Sequence, residues 1–108
     1  MTGEQLKLLA KMKRLITKGN KKFINRRDRD YLKELLEIGI TESLAWQEIL
    51  TLSSYNYVPD YKPFYLKSDS SLVFKKEING NRVYIKLKIE EYNNKEMTVC
   101  LSFHLDYK

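Results

Sequence analysis

The chain has one cysteine and one histidine among 108 residues, and each scarcity removes a class of protein. Cys100 has no partner for an intramolecular disulfide, and one Cys with one His falls short of the four ligands of a structural zinc site. Disulfide- and zinc-stapled scaffolds are excluded. Four Gly and two Pro are too few for a collagen-like or low-complexity chain, and 43% hydrophobic against 31% charged residues suits a globular one. No apolar run approaches the roughly 18 residues of a membrane span, and the first residues lack the apolar core of a signal peptide. The expectation is a single domain over residues 1–108, without a cofactor or a membrane partner, in the cytoplasm, where a lone thiol stays reduced.

Acidic residues are scarce in one stretch only. Residues 1–33 hold 11 Lys/Arg against 3 Asp/Glu, residues 34–108 hold 9 against 11, and the whole carries +6. A basic excess favours polyanionic partners, nucleic acid first. Within it, Thr2 and Gln5 have capping-box spacing and Gly19 suits the left-handed position past a helix end, which predicts a helix over residues 3–18. At 100° per residue, Leu8, Leu9, Met12, Leu15 and Ile16 share one face, and Lys7, Lys11, Arg14 and Lys18 form a stripe opposite. That stripe reads either as an RNA-binding surface or as an ordinary solvated face.

Lys22, Phe23 and Ile24 suit a short extended piece. Arg26, Arg27 and Arg29 follow as candidate phosphate contacts, partly neutralised by Asp28 and Asp30. A helix over 28–38 would bury Tyr31, Leu32, Leu35 and Leu36 and stop at Gly39. A third, over 42–50 and capped by Thr41, would bury Leu44, Ala45 and Ile49 with Trp46 at its margin. The aromatic stretch 51–71 suits a short strand over 54–58 ended by Pro59. Beyond it, Tyr61, Phe64, Tyr65 and Lys62 or Lys67 would either hold single-stranded bases or cover a core edge.

Residues 72–78, 82–90 and 97–105 alternate with period two, and Asn79-Gly80 is a strong type I′ hairpin signal, so three antiparallel strands are expected. The fold class that follows is α+β, with N-terminal helices packed on one face of a C-terminal antiparallel sheet. Leu72, Phe74, Ile78, Val83, Ile85, Leu87 and Ile89 fall on the core face, with Met97, Val99, Leu101, Phe103 and Leu105 of the last strand. A two-residue Asn79-Gly80 loop sets Lys75 across from Tyr84, Glu77 from Arg82 and Val73 from Lys86 on the other face. There the last strand would add Thr98, Cys100, Ser102, His104 and Asp106. Keeping the faces in phase rejects a symmetrical Asn93-Asn94 turn and requires a longer loop or a bulge, with Tyr84 opposite Ser102 or His104.

Lys75, Tyr84, Lys86, Ser102 and His104 thus converge on one polar patch. Metal-independent RNA cleavage needs a base for the 2′-OH proton, an acid for the departing 5′ oxygen, and cations for the charge on phosphate. A His that titrates near neutrality, a Tyr hydroxyl and two Lys ammonium groups can fill those posts. Arg82 and Ser102 join as RNA contacts. The same residue types also make up a plain polar sheet face, and the chain reads alternatively as a non-catalytic RNA- or DNA-binding module or as a regulatory protein-binding domain.

Gly80 to Lys86 (GNRVYIK) is similar to the G-x-x-VY-[IL]-K strand of the MqsR family of toxin-antitoxin ribonucleases, and Ser102-Phe103-His104 to its terminal S-F-[KH]. The order of helix, charged turn, helix, Ile38-Gly39-Ile40-Thr41 turn, helix, aromatic loop and meander resembles the same family. The resemblance implies a RelE-like fold and a sequence-selective mRNA endonuclease that arrests growth until a cognate protein antitoxin binds it. It implies catalytic posts at Tyr84 and at His104, where the family often has Lys, and sets Lys75 where the family has Gln. A further family Lys would fall near Val58, where this chain departs from the pattern and leaves Lys62 or Lys86 to supply the charge.

Overall fold

Thr2 caps the first helix with both halves of its box in place: its hydroxyl accepts from the Gln5 amide at 3.1 Å, and Gln5 Oε1 accepts from the Thr2 amide at 2.8 Å. The computed structural model describes residues 1–25, 28–59 and 71–107. Among the described residues, helix α1 (Gly3–Thr17) leads to strand β1 (Lys21–Phe23), helices α2 (Tyr31–Ile38) and α3 (Glu42–Leu50), and a 3-10 turn over Ser54–Asn56. Strands β2 (Leu72–Ile78), β3 (Asn81–Tyr92) and β4 (Lys95–Leu105) complete the chain.

The architecture is α+β, with the helices N-terminal and packed against a C-terminal sheet. The sheet has four strands in the order β1-β4-β3-β2. Three of them form the expected antiparallel meander, whereas β1 pairs parallel with β4 and makes the sheet mixed. The short extended piece becomes a strand because backbone groups at both of its ends find β4: Thr98 N donates to Asn20 O at 3.0 Å and Ile24 N to Cys100 O at 3.3 Å. Phe23 then points into the core. It stacks on Tyr31 with centroids 4.9 Å apart and contacts Trp46 at 4.7 Å and Phe103 edge-on at 6.2 Å.

This aromatic cluster rotates two helices away from their expected phase. Helix α2 begins only after its Asp30 cap, which accepts from Leu32 N at 3.0 Å. Its inward row is Tyr31, Leu35 and Ile38, so Leu32 and Leu36 face outward at 55% and 77% exposure instead of joining the core. In α3, Trp46 is 5% exposed against Phe23, and Leu44, expected inside, is 49% exposed. The expected strand over 54–58 is replaced by the 3-10 turn, because Ser53 and Asn56 satisfy one another's backbone in a local capping box. Sheet contact survives there only as a bridge from Tyr57 to Phe74 and the bond from Val58 N to Val73 O at 2.9 Å. No helix among the described residues is long and apolar enough to cross a membrane.

Tyr31 joins the starts of α2 and α3: its hydroxyl bonds the Glu42 carboxylate, which raises the phenol above its ordinary pKa, with partial burial adding to the effect. Stability from a raised acid is fully present below the unfolded value near 10 and is lost as pH rises through the folded one. Urea unfolding at pH 7 and pH 11 should therefore show Tyr31→Phe losing less stability over that interval than the parent chain.

Candidate functional site

Two hairpins aim the polar side chains. In the first, Asn79 and Gly80 both take positive φ (53° and 76°), the backbone of a type I′ turn. The β2–β3 register follows as the spacing predicts, with Lys75 opposite Tyr84, Glu77 opposite Arg82 and Val73 opposite Lys86. The turn is also docked: Asn79 Nδ2 donates to the Ile38 and Gly39 carbonyls, each at 3.1 Å, and so satisfies the end of α2.

The second hairpin departs from expectation in an informative way. Asn93 and Asn94 do form a symmetrical two-residue turn, with φ of 51° and 62°, and Tyr92 pairs with Lys95. Phase is restored further along by a bulge in which Leu101 is the extra residue, between the pairs Leu87–Cys100 and Lys86–Ser102. Tyr84 consequently stands opposite His104 and Ile85 opposite Phe103.

Before the bulge the expected faces are exchanged. Thr98 lies on the helix side, donating to Met12 O at 2.9 Å, and Cys100 lies in the core. Met97 and Val99 move to the polar side, in register with Glu90 and Lys88. Burial pushes the Cys100 thiol far up, so it offers no nucleophile.

After the bulge the polar face closes into a cleft of about 390 Å³ lined by Arg29, Lys75, Tyr84, Ser102, His104, Asp106 and Tyr107. His104 is held from three directions. Tyr84 stacks on one side with centroids 5.1 Å apart and planes 17° apart, and Tyr107 lies near-parallel at 6.2 Å and 14°. Its Nδ1 lies 2.8 Å from Leu105 O. A carbonyl only accepts, so Nδ1 carries the proton and Nε2 is left as the acceptor of the neutral ring. Ser102, 8% exposed, forms part of the lining.

Asp106 organises the cations. Its carboxylate is 7% exposed and lies 3.0 Å from Lys75 Nζ and 3.6 Å from Arg82 Nε. Arg82 is 60% exposed at the side of this cluster, opposite Glu77 in register. Arg29 pairs with Glu34 at 2.7 Å. Tyr107 donates to Glu37 at 3.3 Å; burial pushes its phenol up, helped by Glu37 and Glu34 and opposed by Arg29.

Of the expected residues, Lys75, Tyr84, Ser102 and His104 line the cleft together. Lys86 shares their face, beside Ser102 in register, but does not line it. Lys7, Lys11 and Arg14 lie on α1 and Lys18 caps its end; the Met12 carbonyl of this helix bonds Thr98 on the opposite side of the sheet, so the stripe does not join the cleft. Lys11 is moreover paired with Glu96 at 2.8 Å. Arg26, Arg27 and Lys62 lie outside the described residues. The roles of Asp106 as ion-pair hub and Tyr107 as stacking partner escaped sequence reasoning. Alternation put Asp106 on this face but said nothing of its partners, and Tyr107 lies beyond the last strand.

A larger cleft of about 510 Å³ runs between α1, β1 and α3 over Ile16, Trp46 and Leu50. Its charged side chains are Lys21 and Glu42, without a histidine or a convergent set of cations. The chemistry therefore favours the smaller one.

The place of the bulge is testable. Deleting Leu101 would join Cys100 to Ser102 in one regular ladder and leave Lys86–Ser102, Ile85–Phe103 and Tyr84–His104 paired as before, whereas Leu101→Ala keeps the extra residue and its bulge. Ring-to-ring NMR contacts between Tyr84 and His104 should persist in both Leu101→Ala and the deletion, and their loss on deletion would show that Leu101 is not the extra residue. Comparison of the chain with family models, curated proteins and solved structures yields no match.

Proposed function

We propose that the protein is a metal-independent endoribonuclease that cuts single-stranded mRNA, a growth-arresting toxin of the cytoplasm restrained by a protein antitoxin. The observation that carries the catalytic part is the convergence of His104, Tyr84 and Lys75 in one open cleft, with His104 Nε2 as an acceptor. The toxin role, sequence selectivity and the antitoxin rest on the likeness of Gly80 to Lys86 and of Ser102 to His104 to the MqsR motifs.

In this reading His104 Nε2 takes the 2′-OH proton while O2′ attacks the adjacent phosphorus. The P–O5′ bond breaks, the leaving 5′ oxygen takes a proton from the Tyr84 hydroxyl, and a 2′,3′-cyclic phosphate is formed. Lys75 neutralises charge that grows on the phosphate oxygens. Asp106 holds Lys75 and moderates the site's positive charge, and the stacked tyrosines keep the imidazole from turning away.

Labelled RNA incubated with the protein in EDTA should yield 2′,3′-cyclic phosphate and 5′-hydroxyl ends, with a translating extract as a second arm for ribosome-dependent cleavage. His104→Ala should lower the rate about 10²- to 10⁴-fold, the usual contribution of acid-base assistance, with an unchanged far-UV spectrum because the position is only half-buried. Equal cleavage by parent and folded variant would remove His104 from the mechanism. Lys75→Ala should relieve arrest when expressed in the host.

A further inference from the structure

The polar face continues beyond the cleft. Strand β3 is regular on this side, so Tyr84, Lys86, Lys88, Glu90 and Tyr92 succeed one another at steps of about 6.8 Å, from a rise of about 3.4 Å per residue. That step is comparable with the spacing of neighbouring phosphates in an extended single strand. Two strands away, about 9.6 Å at about 4.8 Å per strand, Lys22 of β1 joins the row. It pairs in register with Val99, which pairs in turn with Lys88, so the two lysines flank a fully buried valine. Lys22 Nζ lies 4.7 Å from the centroid of the Tyr92 ring, and Tyr92 donates its hydroxyl to Glu90 at 2.8 Å. Glu90 is also 3.9 Å from Lys88, a loose pairing between half-exposed groups that leaves the ammonium open to a stronger anion.

From these positions we infer that the face bearing Lys86, Lys88, Lys22 and Tyr92 is a binding track for about three nucleotides of single-stranded RNA next to the cleft. Charge complementarity selects the occupant: Lys86 and Lys88 one strand step apart, with Lys22 about 9.6 Å across the sheet, suit a polyanion, and the Tyr92 ring fixed at the far end suits a base. The track rests on the ribonuclease reading for what happens in the cleft, but binding along it is independent of cutting.

The test uses the full chain and a fluorescent 12-nucleotide 2′-O-methyl RNA of mixed sequence, which lacks the attacking hydroxyl and cannot be cut. Binding by anisotropy across a salt series should weaken with a log–log slope whose magnitude drops by about 0.7 in Lys22→Gln and again in Lys88→Gln. Lys33→Gln, an exposed charge on α2, should leave it unchanged. Tyr92→Leu should weaken binding about tenfold at fixed salt. In a cleavage arm, the track variants should cut a dinucleotide at the parent rate while their KM for a long RNA rises. A slope unaffected by Lys22→Gln and Lys88→Gln would overturn the track, as would an equal loss of affinity for a blunt RNA duplex. A parent chain that binds the oligomer through these lysines but cuts neither substrate would sustain the track and remove the ribonuclease.

Discussion

One residue in β4, Leu101, has no partner of its own on β3, and the faces of the sheet depend on it. The Asn93-Asn94 turn imposes a pairing that, carried on unchanged, would set Tyr84 against Phe103 and send His104 among the helices. The bulge shifts pairing by one, so that Phe103 enters the core and His104 reaches the polar side. Thr98 and Cys100, on the other side of the shift, can then face α1 and the core. One strand thereby supplies helix contacts with its first half and cleft residues with its second.

The helix layer is organised around Phe23, which gathers Tyr31, Trp46 and Phe103. Burying that ring requires β1 to lie against β4, and it draws α2 and α3 inward by Tyr31 and Trp46. The cost is visible as Leu32, Leu36 and Leu44 turned to the outside. Isolated exposed leucines are common on folded chains, and a short amphipathic helix cannot bury all sides.

Net charge and local chemistry occupy different places. The excess of cations in the first third includes an α1 stripe on the far side of the sheet from the cleft, so its charge lies apart from the cleft residues. At the cleft the charges are paired: Asp106 lies against Lys75 and Arg82, and Glu34 against Arg29. Such pairing holds long side chains in place.

Local rules carried the reading of the sequence furthest. The Thr2 capping box, the Asn79-Gly80 turn and the β2–β3 register depend on neighbours within a few residues or on strict alternation, and so do the positions of Lys75 and Tyr84. Alternation also required a bulge or a longer loop, but it contained no term for where along β4 the extra residue would lie, and the faces of Met97 to Cys100 were reversed as a result. The parallel pairing of β1, the inward turn of Trp46, the capture of Lys75 by Asp106 and the stacking of Tyr107 on His104 join residues far apart in the chain. The sequence by itself determined the elements and the residue types offered to the polar face. Only the tertiary structure decided which of them meet, because burial of Phe23 and the single shift at Leu101 act across strands and helices rather than along them.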